Sequence, residues 1–222
     1  MELNKGARLG NRFKVLGCLG SGKMGTVFVA ADAAQDDQVV ALKVFHQHLL
    51  KEFSSRQKLR ERVAVAREFD DVGLVRAIEY VDEPGLEALA LEYVPGGNLH
   101  SLVEDGPLST VEIIEVLRQA AQALAILHAR GIVHWDLKPS SILFSKEGRV
   151  KLCGFGLSKL LSCGPINLRV GSAQYRAPEY LRYGDCDQRG DIYSLGVIAY
   201  ELLTGTTPPA GDEPSAATEP DA

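Results

Sequence analysis

Several things are scarce in this sequence. Cysteine occurs four times in 222 residues, as Cys18, Cys153, Cys163 and Cys186. No two of them fall at CxxC spacing, so neither a zinc site nor a disulfide framework is indicated, and reduced thiols are expected. No apolar stretch nears the ~20 residues that span a bilayer. The start, MELNKGARLGNRFKV, has no apolar signal core. A cytoplasmic protein with no membrane segment is therefore expected. Basic excess is missing too: the net charge is −5, which argues against a nucleic-acid surface. No internal repeat is visible. What is present is ordinary for a globular chain, with 45% apolar and 24% charged residues. The length suits one large domain or two small lobes.

The first ~95 residues read as a small antiparallel sheet with one helix. Phe13–Leu19, Thr26–Ala31 and Val39–Phe45 are strand-like runs separated by Gly and Asp/Gln turns. Leu59, Val63, Ala66 and Phe69 recur at helical spacing within 54–69. Leu74–Val81 and Leu86–Val94 form a hairpin pattern around Glu83-Pro84-Gly85. After Gly96-Gly97 the texture turns helical. Ser109 with Glu112 has the spacing of a capping box. Val111, Ile114, Leu117, Ala121, Leu124 and Leu127 form an apolar stripe, and Gly131 ends the helix. Two short strands follow at 142–145 and 149–152. The segment 191–203 is apolar nearly all round, which predicts a buried helix. The tail 208–222 is rich in Pro, Ala and acids, the composition of a disordered segment. The expected division is therefore 1–95, 96–207 and the tail.

The motifs carry the chemistry. Leu19-Gly20-Ser21-Gly22-Lys23-Met24-Gly25-Thr26-Val27 is a GxGxxG stretch with a strand on both sides. Glycines there let backbone amides approach phosphate, since no Cβ intrudes. A plain glycine hairpin is the competing reading. Val40-Ala41-Leu42-Lys43 places a Lys inside an apolar strand, either aimed at phosphate or on a solvent-facing edge. Ile132-Val133-His134-Trp135-Asp136-Leu137-Lys138-Pro139 sets an acid and a Lys two residues apart after a helix. Cys153-Gly154-Phe155-Gly156, Ala177-Pro178-Glu179 and Asp191-Ile192-Tyr193-Ser194-Leu195-Gly196 follow in that order.

In order and spacing, these six stretches resemble the protein kinase family, and in particular its bacterial-type serine/threonine kinases. The resemblance covers residues ~12–205. It implies an α+β, bilobal fold: an N-terminal antiparallel sheet with one helix, then a mainly helical lobe that here stops after the helix ending near Leu203. It implies that Gly20, Gly22 and Gly25 cover nucleotide phosphates and that Lys43 reaches them. Val27, Ala41 and Leu143 would sandwich adenine, Leu91 would be the gatekeeper, and the backbone of Glu92 to Val94 would bind the base. Asp136 would accept the substrate hydroxyl proton beside Lys138. Ser172 would be the nearby activation-segment hydroxyl, and Asp191 would order the catalytic loop.

The departures from the family pattern are specific. The metal-binding Asp before Phe-Gly is Gly154, and the second metal ligand, an Asn, is Ser141. The helix Glu that should pair with Lys43 falls at Arg62, with Glu61 adjacent. The Arg before the catalytic acid is Trp135, so control by an activation-loop phosphate is not expected. Magnesium requires hard oxygen ligands, usually including one or two carboxylates. Phosphoryl transfer is mostly positioning and charge neutralisation, and losing one such group costs about 3–4 kcal/mol. No metal site and no magnesium are expected. ATP or ADP remains compatible with the retained Gly loop and Lys43.

The expected function is that of a pseudokinase, a regulatory or binding module that takes nucleotide weakly and without metal. It would work on a protein partner, a kinase or an effector, or on a second copy through the uncovered surface of its helical lobe. In this reading Asp136 and Lys138 are vestigial. Two alternatives stand beside it: a divergent active serine/threonine kinase, and a nucleotide-free scaffold.

Overall fold

The computed structural model describes residues 4–22, 24–47, 53–84, 86–155 and 172–209, with backbone alone at 53–55 and 172. Lys23, Gly156, Cys163, the Ser172 hydroxyl and the tail from residue 210, expected to be disordered, lie outside the described residues.

Six strands form one antiparallel sheet in the order β1-β2-β3-β4-β6-β5. They are β1 (Arg8–Leu9), β2 (Phe13–Gly22), β3 (Gly25–Asp32), β4 (Gln38–Phe45), β5 (Ala77–Glu83) and β6 (Leu86–Glu92). Alternation sets the two faces. Val40, Leu42 and Val44 of β4 join Phe13, Val15, Phe28 and Ala88 in one apolar cluster. Phe45 and Leu89 point the other way, onto Leu59 and Val63 of helix α1 (Phe53–Arg67). β4 lies between β3 and β6, so Lys43 is on an interior strand. That removes the edge-strand reading of this lysine. Arg12 ties the sheet together from outside, bonding Asp32 with both Nε (2.6 Å) and Nη2 (2.7 Å).

The remaining elements are α2 (Leu99–Glu104), α3 (Thr110–Ala129), β7 (Ile142–Phe144), β8 (Val150–Leu152), α4 (Pro178–Tyr183) and α5 (Gln188–Thr204). The capping box opens α3: Ser109 Oγ accepts from Glu112 N–H, and Glu112 Oε2 accepts from Ser109 N–H at 2.8 Å. Phe69, Leu99, Leu124, Leu127, Leu137, Leu152, Phe155 and Ile198 meet in a second core. The two halves are stitched by backbone, with Val75 N–H donating to Leu152 C=O (2.9 Å) and Leu152 N–H to Gly73 C=O (2.8 Å). No helix among the described residues is long and apolar enough to cross a membrane.

Three expectations change. The strand placed at Leu74–Val81 begins at Ala77, because Gly73 and Val75, on either side of Leu74, bond Leu152 instead. The buried stripe of α3 runs through Ile113, Val116, Ala120, Ala123, Leu124 and Leu127, whereas Val111 is 76% exposed and Ile114 60%. Apolar residues cover so wide an arc of this helix that periodicity alone does not pick the face. Helix α5 is buried on one side only, through Asp191, Ser194, Val197 and Ile198; Ile192, Tyr193, Tyr200 and Leu203 are exposed. The physical reason is that one side of it packs on α3, the turn at Ser172–Tyr175 and the loop at His134–Trp135.

The three glycines of the β2–β3 hairpin are not equivalent. A Cβ on Gly25 would sit against the Val44 carbonyl oxygen on β4, closer than any real Cβ approach. A Cβ on Gly20 or Gly22 would meet nothing within 4 Å. Gly25 is thus demanded by strand packing, and Gly20 and Gly22 are not. Gly25→Ala is expected to destabilise the fold by about 1–3 kcal/mol, whereas Gly20→Ala and Gly22→Ala shift it by about 0.5 kcal/mol or less. Urea unfolding of the three variants checks this, and equal losses would refute it.

Candidate functional site

The site is built from three backbone pieces. The roof is the β2–β3 hairpin with the facing stretch of β4, in whose register Val27 lies opposite Lys43 and Ala41 opposite Leu91. At the back, β6 runs out through Glu92 to Val94. The Glu92 carboxylate is turned away to Lys151 on β8 (2.7 Å), and its N–H donates to Arg76 C=O. The floor is the loop 134–141 and strand β7, where Leu143 is half-buried and bridged to Asn98.

Asp191, at the start of α5, shapes that loop. Its carboxylate is buried and accepts from His134 N–H (2.8 Å), Trp135 N–H (3.0 Å) and the His128 ring Nε2 (2.8 Å). Trp135 is held at φ +73°, a conformation side chains rarely adopt, so the chain turns sharply into Asp136. His134 braces the turn from inside. Its Nδ1 accepts from Asp136 N–H (3.4 Å), and its Nε2 donates to Cys153 C=O (3.0 Å). This is the neutral imidazole, and burial pushes its pKa below the usual 6.5.

Asp136 is engaged by cations on both oxygens. Lys138 Nζ is 2.9 Å from Oδ2 and Arg176 Nη2 is 3.3 Å from Oδ1. Arg176 in turn lies over the Tyr180 ring, 5.2 Å from its centroid, and Tyr180 packs on Trp135 at 5.6 Å. Both distances are within the range of cation–π and aromatic contacts. The metal-ligand positions do not supply carboxylates. Gly154 has φ +85° with open space where a Cβ would stand. The Ser141 hydroxyl is buried and donates to Asp136 C=O (3.1 Å). These residues do not fit magnesium, whose ligands are hard oxygens with at least one carboxylate as a rule.

Lys43 stands within electrostatic reach of Asp136, Lys138 and Cys153. Among the described residues no carboxylate is paired with it. Glu61 and Arg62 both lie on the exposed side of α1, and Glu61 accepts from Gln57 (3.1 Å). Desolvation pushes the Lys43 ammonium below its usual pKa, as expected of a cation in a cleft with no carboxylate against it. The same burial pushes the Cys153 thiol up. Phe155 turns into the core and meets Phe69 edge-on at 5.7 Å. Strand register sets Val27 opposite Lys43 and Ala41 opposite Leu91, and Lys43 lies within electrostatic reach of Asp136, Lys138 and Cys153, so the strand lysine and the loop 134–141 share one site. Sequence reasoning does not single out Arg176, though it directly precedes the Ala-Pro-Glu stretch. Nothing local in the sequence marks it as a partner of Asp136.

A twisted antiparallel sheet carrying one helix, set over a helical unit, with a glycine hairpin, a strand Lys and an acid–Lys loop along the cleft, defines the protein-kinase fold. Residues 13–221 match the protein kinase domain, and the chain belongs to that family. It is 38% identical over 212 residues to the serine/threonine-protein kinase PknL of Mycobacterium tuberculosis, covering 93% of this chain and 52% of that protein. It is 32% identical over 211 residues to the serine/threonine-protein kinase PrkC of Bacillus subtilis, covering 93% of this chain and 32% of the other. The chain thus spans about half or less of these relatives' length. The crystal structure of a mutant form of the Mycobacterium tuberculosis PknI kinase domain superposes with a TM-score of 0.75 at 24% identity, over 95% of this chain and 80% of that one.

His134 gives a test of the loop. The unfolded chain binds more protons than the folded one between the lowered folded pKa and 6.5. The group's contribution to stability is therefore fully present above pH 6.5 and is lost as the pH falls below it. Urea unfolding free energy should fall between about pH 7 and about pH 5.5, and fall less steeply in His134→Gln. Parallel slopes in the two proteins would show that His134 is not the group responsible. Asp191→Ala, which strands buried N–H donors, should cost about 3–5 kcal/mol; a loss under about 1 kcal/mol would contradict the role given to this carboxylate.

Proposed function

We propose that this chain is a pseudokinase: a protein-kinase fold that works as a regulatory or binding module and takes a nucleoside di- or triphosphate without metal. The observation that carries the reading is the state of Asp136, whose two oxygens meet Lys138 and Arg176 while positions 141 and 154 offer no carboxylate. A general base must be free to accept the proton of an incoming hydroxyl. A phosphoryl group in transfer needs its charge neutralised in line with the attacking oxygen. Each lost electrostatic group costs about 3–4 kcal/mol, so two missing metal ligands bring transfer toward background.

Nucleotide binding is a separate matter. Gly20, Gly22 and Gly25 would lie over the phosphates, and Lys43 would reach them. Val27, Ala41 and Leu143 would enclose the base, with the backbone from Glu92 to Val94 bonding its edge. The open space over Gly20 and Gly22 and the lysine without a carboxylate partner support that part. The output runs through a protein partner, an active kinase or an effector, or through a second copy packed on the exposed side of α5. We place the module in the cytoplasm of a bacterium, by analogy with the relatives.

Transfer from radiolabelled ATP to a generic protein substrate tests the reading. Wild type and Asp136→Asn should be equally inactive; transfer that Asp136→Asn abolishes would establish an active serine/threonine kinase instead. Thermal shift with ADP in excess chelator should raise the melting temperature of wild type, and Lys43→Met should remove most of the rise. No shift under any condition would favour a nucleotide-free scaffold.

A further inference from the structure

The glycine hairpin is held by more than its own ladder. Beyond Val15, β2 pairs with β3 alone among the described residues, and the register slips twice, between Val15 and Gly17 and between Cys18 and Gly20. Leu19, Gly20, Ser21 and Gly22 are exposed. A strand end with one neighbour, two register breaks and little buried surface opens easily. Two ties act against that. Ser21 Oγ lies 3.0 Å from Thr26 Oγ1, so the two strands are stapled to each other just below the tip. The second tie comes from His46, the residue after β4. Its backbone N–H donates to Met24 C=O (3.2 Å), which carries the β3–β4 ladder one step past Phe45. Its ring Nε2 is 3.0 Å from Gly22 C=O. A carbonyl only accepts, so Nε2 carries the hydrogen. The ring thus reaches past β3 to the last residue of β2 and ties three neighbouring strands together at the tip. Its anchor is firm, since β3 and β4 approach so closely there that Gly25 has no room for a Cβ against Val44 C=O.

We propose that His46 is a positioning residue for the nucleotide site: it holds the glycine hairpin in one arrangement before any ligand arrives, so the hairpin is a preset cover and not a mobile flap. The proposal rests on the nucleotide-binding reading above and deepens it. The alternation of β4 continues into His46, so Lys43 and His46 leave opposite faces of the strand. The brace therefore acts on the hairpin from outside the face that carries Lys43. A loop ordered in advance loses less conformational entropy when a ligand binds. The gain is set by the net strength of one hydrogen bond, which corresponds to about a fivefold change in an equilibrium. Without the ring the hairpin opens more often, and a nucleotide must restore the lost order from its own contacts. His46 has at least one interaction besides these two, so truncation to Ala removes more than the bond to Gly22. Gln returns a side-chain N–H donor of similar reach and isolates that bond.

Hydrogen exchange read by NMR, together with isothermal titration of ADP in excess chelator, tests the brace and its consequence on the whole chain. In unliganded His46→Ala the ladder amides of 17–22 and 24–26 should exchange about fivefold faster than in wild type, and those of α3 at the wild-type rate. ADP affinity should fall by about threefold to fivefold. His46→Gln should recover most of both effects. Wild-type exchange in the hairpin of His46→Ala overturns the proposal. So does an equal acceleration in α3, which would make His46 a contributor to overall stability only, and so does a failure of His46→Gln to recover either effect. Faster hairpin exchange with unchanged ADP affinity also overturns it, and leaves the metal-free nucleotide site standing without His46. Absence of ADP binding by wild type rejects the nucleotide site itself, and the positioning role with it, whatever the exchange shows.

Discussion

A buried carboxylate on helix α5 governs this molecule. Asp191 takes hydrogen bonds from His128 on α3 and from the backbone of His134 and Trp135. Each would otherwise be a donor left in an apolar interior, at a cost of about 1–3 kcal/mol. By satisfying them at once, Asp191 fixes α3, α5 and the loop between them in a single arrangement. The left-handed turn at Trp135 is held by the same bonds, and that turn aims Asp136 into the cleft. His134 then carries the order inward, to Cys153 and the strand that leads to Gly154 and Phe155.

The ordered loop delivers an unusual electrostatic balance. Protein kinases gather charge around transferring phosphates by combining fixed lysines with metal ions held on acids. Here the positions matching the family's metal-binding Asp and Asn hold a glycine and a serine whose hydroxyl is bonded to the backbone. An arginine from the segment before α4 has closed on the remaining acid. The family fold persists because its core and its loop brace do not depend on those positions. Leu99, Leu124, Leu137 and Leu152 are buried whether or not a metal binds. Fold and activity are carried by different residues, so the core can persist whatever stands at positions 141 and 154.

The glycine hairpin shows the same separation within one motif. Gly25 is held by the close approach of β4, and Gly20 and Gly22 face open space. A three-glycine pattern thus contains one structural requirement and two positions that the packing of the fold leaves open. Lys43 likewise gains its meaning from topology: it sits on an interior strand facing the cleft, where desolvation without an acid partner lowers its pKa.

What the sequence settled by itself was whatever rests on local periodicity and ordered motifs. The sheet with one helix, the capped helix at Ser109, the glycine hairpin, the absence of an acid at 154 and of an amide at 141, and the Arg at 62 were all legible there, because each is a statement about residue type at a position. The tertiary structure decided what depends on which faces meet. It chose Ile113 and Val116 over Val111 and Ile114 as the buried side of α3, since both sets satisfy the same period and only the packing partner separates them. It drew Leu74 and Val75 out of their strand, with Gly73 and Val75 bonded to Leu152. Above all it brought Arg176 to Asp136 across forty residues of chain, a contact no spacing rule encodes, because it exists only once α5 has fixed the loop and the Trp135–Tyr180 pair has given the guanidinium a surface to rest on.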